Sequence, residues 1–558
     1  MGLQFIPLVA AVGLIVAAPL AAQAANEATP LEAAEALMQM PASPEAQAIY
    51  DLAQGTQDFH LGGIHFRDAA IARFYEQRAW EPAWTRESDL RALTEALTGL
   101  EDHGLTPTRY PTPEALLAYA DTQAEQGRLD VMRTATFLRF TREVSHGLVS
   151  PRGMYPDYDV PEPAFVDAVA ALQSAIVAGD GEMAAVLKSM APPHIGYWQL
   201  VDAHRALRLR EDWPQVAGLG RKLKPGKSHE NVPSLRARLA VEPGETLETP
   251  EDPTQYDAAL EEAVRRFQDR HGLLVDGVVG PRTLRTLNVS REDRLQQVVA
   301  SLERWRWIPR DLGTAYVMVN AAANRLWAVQ DGKTVFETRV ITGTKKNPTP
   351  VLQSHLKQMV LNPPWYVPKS IATKEIMIKA QEDPEYLRRN NIRVVDLEED
   401  DPFGDTVDWN TASENGEIYR FRQDPGAGNA LGHLKLFFTN KYGVYLHDTS
   451  SRSLFGRANR NLSHGCVRVQ NVRDLAALIG APRNGWDRTR IDGAIQNGKT
   501  RYVPMPHDWN IYLLYWTAFT DSDGGLRFRH DVYGRDVPLL RALEEAASLP
   551  GSKVASSR

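Results

Sequence analysis

Apolar residues recur in this 558-residue chain in several rhythms, and each predicts a different kind of domain. Over residues 45–225 the spacing is helical. Phe137, Phe140 and Val144 recur at intervals of three and four and so share one helix face, while Phe74-Tyr75 with Trp80 and Trp84 form an aromatic cluster suited to a core. A compact module is predicted over 226–292. Leu260, Ala263, Val264 and Phe267 give a helix with one apolar stripe that runs through Gln268 and ends near His271-Gly272, where glycine supplies a left-handed cap. Asp276-Gly277 then turns the chain, Gly280-Pro281 opens a second helix, and Leu284 and Leu287 close the small core.

From residue 293 to 535 the rhythm shortens to β runs: Tyr316–Val319, Leu326–Val329, Val335–Thr342, Met359–Leu361, Leu434–Phe438 and Gly443–His447. Short strands between Asn, Gly and Pro clusters predict a sandwich or barrel-like domain, so the whole chain reads as an α+β multidomain protein. Residues 366–430 break the pattern. Ile371–Ala380 and Pro384–Arg389 read as short helices, Glu398–Asp401 is acidic, and Gly426, Gly428 and Gly432 would serve as hinges if this insertion covers a site, which otherwise is a passive surface segment. The run Tyr512–Phe519, a turn at Asp523-Gly524-Gly525 and Leu526–Phe528 are expected as a terminal hairpin, with a frayed tail beyond 548.

Chemistry concentrates at the only cysteine. Cys466 lies in Ser463-His464-Gly465-Cys466-Val467-Arg468, which begins sixteen positions after His447. A thiol attacks a carbonyl as thiolate, so it needs an imidazole to take its proton. As a strand, Gly443–His447 would project Tyr445 and His447 from one face and bury Val444 and Leu446 on the other, which makes His447 the candidate base and Tyr445 a substrate neighbour. Gly465 permits a sharp turn whose N–H groups could meet an oxyanion, and His464 would brace that turn or assist the thiolate. A zinc site from His447, His464 and Cys466 is the alternative, although no CxxC, HExxH or second cysteine completes it.

A histidine, fifteen intervening residues and Ser-His-Gly-Cys resemble the signature of the L,D-transpeptidases of bacterial cell-wall synthesis, with a YkuD-type catalytic domain. Pro348-Thr349-Pro350 and Asn362-Pro363-Pro364-Trp365 resemble further motifs of that domain, Arg142–Gly147 resembles the helical scaffold of the large periplasmic subgroup, and Phe267-Gln268, Gly272-Leu273, Asp276-Gly277, Gly280, Thr283 and Leu287-Asn288 resemble peptidoglycan-binding domain 1. The resemblance implies Cys466 as nucleophile, His447 as base and His464 in support; Gly465 joins them at the turn, and Ser463, Tyr445, Trp365 and Arg468 are expected against the substrate. Arg468 stands where the family usually has asparagine, and either meets a stem-peptide carboxylate or holds the loop through an ion pair. The implied reaction is a two-step acyl transfer on a tetrapeptide stem with loss of D-alanine and formation of a 3-3 cross-link, inhibited by carbapenems. Hydrolysis by an L,D-carboxypeptidase, transfer to a lipoprotein, or a non-catalytic wall-binding scaffold remain as alternatives, and the module either binds glycan or acts as a spacer.

Composition fits an exported enzyme. Residues 3–20 are nearly all apolar and precede Ala22-Gln23-Ala24, the pattern of a signal peptide over 1–24 cleaved before Ala25, though the segment opens without Lys or Arg and its apolar run is long enough to stay as an inner-membrane anchor instead. One cysteine excludes an internal disulfide, and a net charge of −7 from interleaved acids and bases argues against nucleic acid. No cofactor is expected. The partners expected are stem peptides and glycan in the periplasm.

Overall fold

The computed structural model describes residues 41–548 except 56–58, 62–63, 67–68, 221, 417, 507 and 522. The expected signal segment and the tail beyond 548 therefore lie outside the described residues. Two units divide the chain: one runs to Thr94 and adds Tyr110–Arg139 and Asp167–Val186, and the other takes Glu95–Arg109, Phe140–Val166 and everything from Leu187. Among the described residues no helix is long and apolar enough to cross a membrane.

The first unit is helical and organised by one buried carboxylate. Asp130 accepts hydrogen bonds from the Tyr75 hydroxyl at 2.6 Å and from the backbone N–H groups of Ala83 and Trp84 at 3.0 and 2.8 Å. The Trp84 indole donates to Thr134 at 2.9 Å, and its ring lies 6.4 Å from that of Phe137. The aromatic cluster is thus core, as its spacing predicts, and its polar ends are satisfied internally.

In the second unit the module forms from helices Val232–Ala240, Ala258–Arg270 and Pro281–Leu287 around Leu235, Leu239, Leu260, Val264, Phe267 and Leu287. Its turn is held by a side chain that the apolar stripe did not reveal. Buried Gln268 accepts from the N–H groups of Asp276 and Gly277 at 3.0 and 2.9 Å and donates to Asp276 Oδ1 at 3.0 Å, which locks the turn in which Gly277 adopts φ 71°.

Ten strands of an eleven-stranded sheet make the β domain: β1 (Ala315–Asn320), β2 (Arg325–Gln330), β3 (Lys333–Gly343), β4 (Val351–Leu361), β5 (Leu434–Phe438), β6 (Leu446–His447), β7 (Asn461–Ser463), β8 (Val467–Val469), β9 (Arg501–Pro504) and β10 (Trp509–Leu514), and the short strand Tyr158–Asp159 pairs alongside β4. Pairing runs β5-β6-β8-β3-β2-β1-β10-β4, and β4 pairs back to β5, so the ring closes as a barrel. Its interior is apolar, with Val317, Val340, Leu356, Leu436, Leu446 and Val467 among the packed side chains, and helices Val472–Asn484 and Arg488–Gln496 add Leu475, Ile479 and Ile491.

Several expectations change here. β4 has 11 residues, of which only the last apolar three were legible, because Gln353, His355, Lys357 and Gln358 interrupt the pattern. The run Tyr512–Phe519 is not one strand of a terminal hairpin: Tyr512–Leu514 completes β10 in the barrel wall, and only Ala518–Thr520 pairs with Leu526–Phe528. A helix, Asp536–Ser548, then follows, anchored where Asp536 meets Arg304 at 2.7 Å. The insertion is not free of β structure, since Trp365–Tyr366, Ile392–Val394 and Phe421–Gln423 form a small antiparallel sheet. Strands of two or three residues are too short for alternation to register. This insertion has its own core of Ile376, Met377, Leu387, Trp409 and Phe421. Gly432 packs closely rather than hanging free, as a Cβ there would come within 2.6 Å of Asp448.

Five histidines of the second unit are kept neutral by burial: His103 and His447 are driven to about 3, His194 to about 4, and His204 and His271 below the ordinary 6.5. The unfolded chain gains protons as pH falls through the ordinary value while the folded chain does not, so this stability is present above that value and is lost on acidification. The melting temperature is expected to fall between about pH 7.5 and about pH 6, with the upward-shifted carboxyls of buried Asp130, Glu303 and Asp536 acting in the opposite sense. A flat or rising melting temperature over that range would contradict the neutral burial of these imidazoles.

Candidate active site

Two neighbouring parallel strands set the site. β6 and β8 pair Leu446 with Val467 and His447 with Arg468, and the Val467 N–H donates to the Tyr445 carbonyl at 3.0 Å. Side chains alternate along a strand, so Val444, Leu446 and Val467 enter the barrel core while Tyr445, His447, Cys466 and Arg468 share the opposite face. On the other flank of β6, β5 brings Lys435 opposite His447, with the ammonium 3.7 Å from the centre of the Tyr445 ring. The imidazole therefore stands in a row between a lysine and an arginine.

Those cations act oppositely on the imidazole and on the thiol. Burial first, then Arg468 and Lys435, drive the His447 imidazole to about 3 against hydrogen bonding to the backbone of Asp448 and Leu431. Burial pushes the Cys466 thiol up, while the Tyr445 backbone N–H, Lys435, the Tyr445 hydroxyl and Arg468 all pull it down. At rest the thiol, which donates to the Gly443 carbonyl at 4.0 Å, and the imidazole are both neutral, with cations and donors arranged to favour negative charge on sulfur when it forms. His447 is 4% exposed, and its Nδ1 is sealed without a hydrogen-bond partner among the described residues. The Tyr445 and His447 rings lie 5.6 Å apart, and the Tyr445 hydroxyl meets both Cys466 and Trp365.

The turn before the thiol is braced from below. Gly465 adopts φ 111°, which disfavours any side chain, and Thr349 Oγ1 donates to its carbonyl at 2.8 Å while accepting from the Gly343 N–H at 2.9 Å. The Tyr533 hydroxyl donates to the Gly343 carbonyl and accepts from the Thr349 N–H, at 2.9 and 3.2 Å. Pro348-Thr349-Pro350 is thus a strut beneath the turn. Ser463, expected against the substrate, points inward instead: its hydroxyl donates to the Cys466 carbonyl at 2.5 Å and accepts from the Gly465 N–H at 3.2 Å. Gly465 consequently cannot direct that N–H at an oxyanion. Thr349→Val, nearly isosteric, strands a buried carbonyl and N–H, so it is expected to cost on the order of 1–3 kcal/mol of stability. An unchanged melting curve would show that the strut is dispensable.

His464 leaves the thiol for the insertion. Its Nε2 lies 2.7 Å from Glu375 Oε1, and Glu375 sits in a π-helical turn, Ala372–Ile376. Both side chains are half-exposed, so the pair contributes at most about 1 kcal/mol, but it ties the insertion to the cysteine motif. The zinc alternative finds no such cluster, for among the described residues no three His, Cys, Asp or Glu side chains gather to hold a metal ion. Arg468 pairs with no carboxylate among the described residues, and its buried Nε has no partner, so the loop ion pair considered from sequence is not formed.

Lys435, Glu375 and Tyr533 were not singled out from sequence, and Thr349 only as part of the Pro348-Thr349-Pro350 motif, without its bracing role. Lys435 left a signal, a lone cation in the apolar run Leu434–Phe438. The other three reach the site through tertiary contacts that no local pattern reports.

Comparison with known proteins assigns these domains. Residues 314–493 match the L,D-transpeptidase catalytic domain YkuD, residues 69–203 a scaffold domain, and residues 228–287 a putative peptidoglycan binding domain. A putative L,D-transpeptidase of Haemophilus influenzae is 35% identical over 248 residues, 44% of this chain and 50% of that protein. A zinc D-Ala-D-Ala carboxypeptidase of Streptomyces albus G is 32% identical over 113 residues, 19% of this chain and 44% of that protein. The chain thus spans about half the length of the curated relatives it matches. Among solved structures, an L,D-transpeptidase from Stackebrandtia nassauensis aligns at 14% identity and TM-score 0.20, over 54% of this chain and 96% of that one. The chain carries a YkuD-type L,D-transpeptidase catalytic domain together with a peptidoglycan-binding domain and a scaffold domain.

Proposed function

We propose that this protein is a peptidoglycan L,D-transpeptidase in which Cys466 is the nucleophile and His447 the base. The observation that carries the reading is the shared face of Tyr445, His447, Cys466 and Arg468, with an unpartnered Nδ1 on the buried imidazole. A thiol proton gives that nitrogen the partner it lacks. Cys466 Sγ attacks the carbonyl carbon at the L-centre of diaminopimelate in a tetrapeptide stem as its proton passes to His447. The tetrahedral intermediate collapses, the C–N bond to D-alanine breaks, and the imidazolium protonates the departing amine. A thioester remains. The side-chain amine of a second diaminopimelate then attacks, giving its proton to His447, and the C–S bond breaks to form a 3-3 cross-link and return the thiol.

Each neighbour has a task in this scheme. Arg468, with its buried and unpartnered Nε, receives a stem-peptide carboxylate, and Lys435 lends positive charge to the thiolate. Tyr445 and Trp365 line the acyl site, while Ser463, Thr349 and Gly465 hold the turn. The Cys466 N–H is the turn's oxyanion donor, because Ser463 occupies that of Gly465. Through Glu375 and His464 the insertion over 366–430 acts as a cap on the substrate channel. The chain is exported by its N-terminal segment, works in the periplasm on wall held by the module, and is acylated by carbapenems.

Incubation with tetrapeptide muropeptides tests the reaction. Released D-alanine together with 3-3 dimers supports it. D-alanine without dimers would make the protein a carboxypeptidase, and neither product with persistent binding to sacculi would make it a scaffold.

A further inference from the structure

Where the module meets the barrel, a cavity of about 290 Å³ opens that neither Cys466 nor its partners line. Six arginines reach it: Arg282 from the module, Arg325 and Arg339 from β2 and β3, Arg457 and Arg460 from the loop before β7, and Arg529 after the hairpin. The sole lining carboxylate, Asp269, is already paired with Arg527 at 2.5 Å, and Arg325 is paired with Glu337. The remaining five have no carboxylate partner among the described residues. In a chain with a net charge of −7, such a concentration of cations is not a product of composition.

Two of these guanidiniums are built into the walls. Arg529 is 8% exposed, donates from Nη1 to the carbonyls of Arg270 and Phe528 at 2.9 and 2.7 Å, and lies 5.1 Å over the Phe519 ring. Gly272 makes room for it, since a Cβ there would approach Arg529 Cδ to 2.6 Å. Arg460 reaches the carbonyls of Arg457, Val340 and Asn324 at 2.8, 3.3 and 3.4 Å. Carbonyl dipoles solvate these charges without neutralising them. Burial and the surrounding arginines accordingly lower Arg529 to about 9 and Arg460 to about 10. A hollow ringed by unneutralised guanidinium forks matches a ligand with several anionic oxygens, which such forks bind in pairs.

One wall of the hollow belongs to the domain that matches a peptidoglycan-binding family, and the other to the transpeptidase barrel. We propose that this cavity binds the free carboxylates of a peptidoglycan stem peptide, at a site separate from the one around Cys466. The choice of a wall peptide among anions rests on the proposed function; the anion site itself does not. Its size suits a few peptide residues rather than a folded partner.

Hydrogen–deuterium exchange on the full chain carrying Cys466→Ala tests this whether or not the thiol is the nucleophile. The probe is the disaccharide tetrapeptide released from sacculi, with inorganic pyrophosphate as a second probe. The muropeptide is expected to slow exchange in residues 322–325 and 456–461, less at high salt. Replacing the exposed Arg339 and Arg457 by glutamine is expected to raise the half-maximal concentration about tenfold, with the melting curve unchanged. No slowing in those segments, or slowing indifferent to the substitutions, overturns the site. Protection by pyrophosphate alone overturns the wall-peptide assignment while leaving the proposed function standing.

Discussion

Cys466→Ala is expected to abolish both D-alanine release and covalent capture of a carbapenem, with a loss of at least about 10⁴-fold. Nothing else near the site can replace it, because Cys466 is the only cysteine of the chain and the neighbouring hydroxyl of Ser463 is turned into the loop. Removing a half-buried thiol at the edge of the core costs little packing, so the variant should melt near the parent temperature. Intact mass after exposure to a carbapenem checks this directly. An adduct on the alanine variant would remove Cys466 from the mechanism.

His447→Gln is expected to slow acylation by about 10²–10⁴-fold, the usual worth of a positioned base, while the barrel stays folded. The pH dependence carries more information than the rate. Because burial, Arg468 and Lys435 hold His447 near 3, the parent enzyme keeps its base neutral through the acid range, and kcat/KM should show no fall through the ordinary histidine value of 6.5. Upward displacement of the thiol likewise extends the plateau on the alkaline side. An inflection near the ordinary histidine value that vanishes in His447→Gln would mean that the imidazole is far more exposed to water or to anions than this arrangement allows.

The face shared by Tyr445 and His447 was legible because strand alternation fixes it locally: Val444 and Leu446 enter the core and oblige their neighbours to the other face, whereas the place of Cys466 on that face comes from the pairing of β6 with β8. The module was legible for the same reason, its stripe at Leu260, Val264 and Phe267 being a property of one helix. What supports the site was not. Thr349 lies 116 residues before Gly465, and Tyr533 lies 190 residues after Gly343, so only closure of the barrel brings them together. Glu375 comes from a turn of the insertion whose β partners are two or three residues long, and whose polar surface has no period. Ser463 was misplaced because a serine beside a nucleophile reads as a substrate contact, whereas the left-handed Gly465 needs an acceptor for its N–H and a donor for the next carbonyl. The terminal aromatic run misled through continuity, since nothing in Tyr512–Phe519 marks the point where the chain leaves the barrel wall for the hairpin.

Arrangement of charge, more than any single residue, distinguishes this site. Lys435 and Arg468 flank an imidazole that, in the proposed mechanism, must briefly become cationic, which requires something to arrive and offset them. A substrate carboxylate on Arg468 would do so, raising the basicity of His447 only when a stem peptide is bound and leaving the thiol unreactive otherwise. On the proposed mechanism, recognition and activation then fall to one side chain.

Peptide mapping of the protein trapped with a tetrapeptide muropeptide tests the central claim most directly. The account predicts a thioester on the peptide containing Cys466, formed as D-alanine appears and discharged by an added diaminopimelate amine. D-alanine released at full rate with no acyl group on that peptide would contradict it.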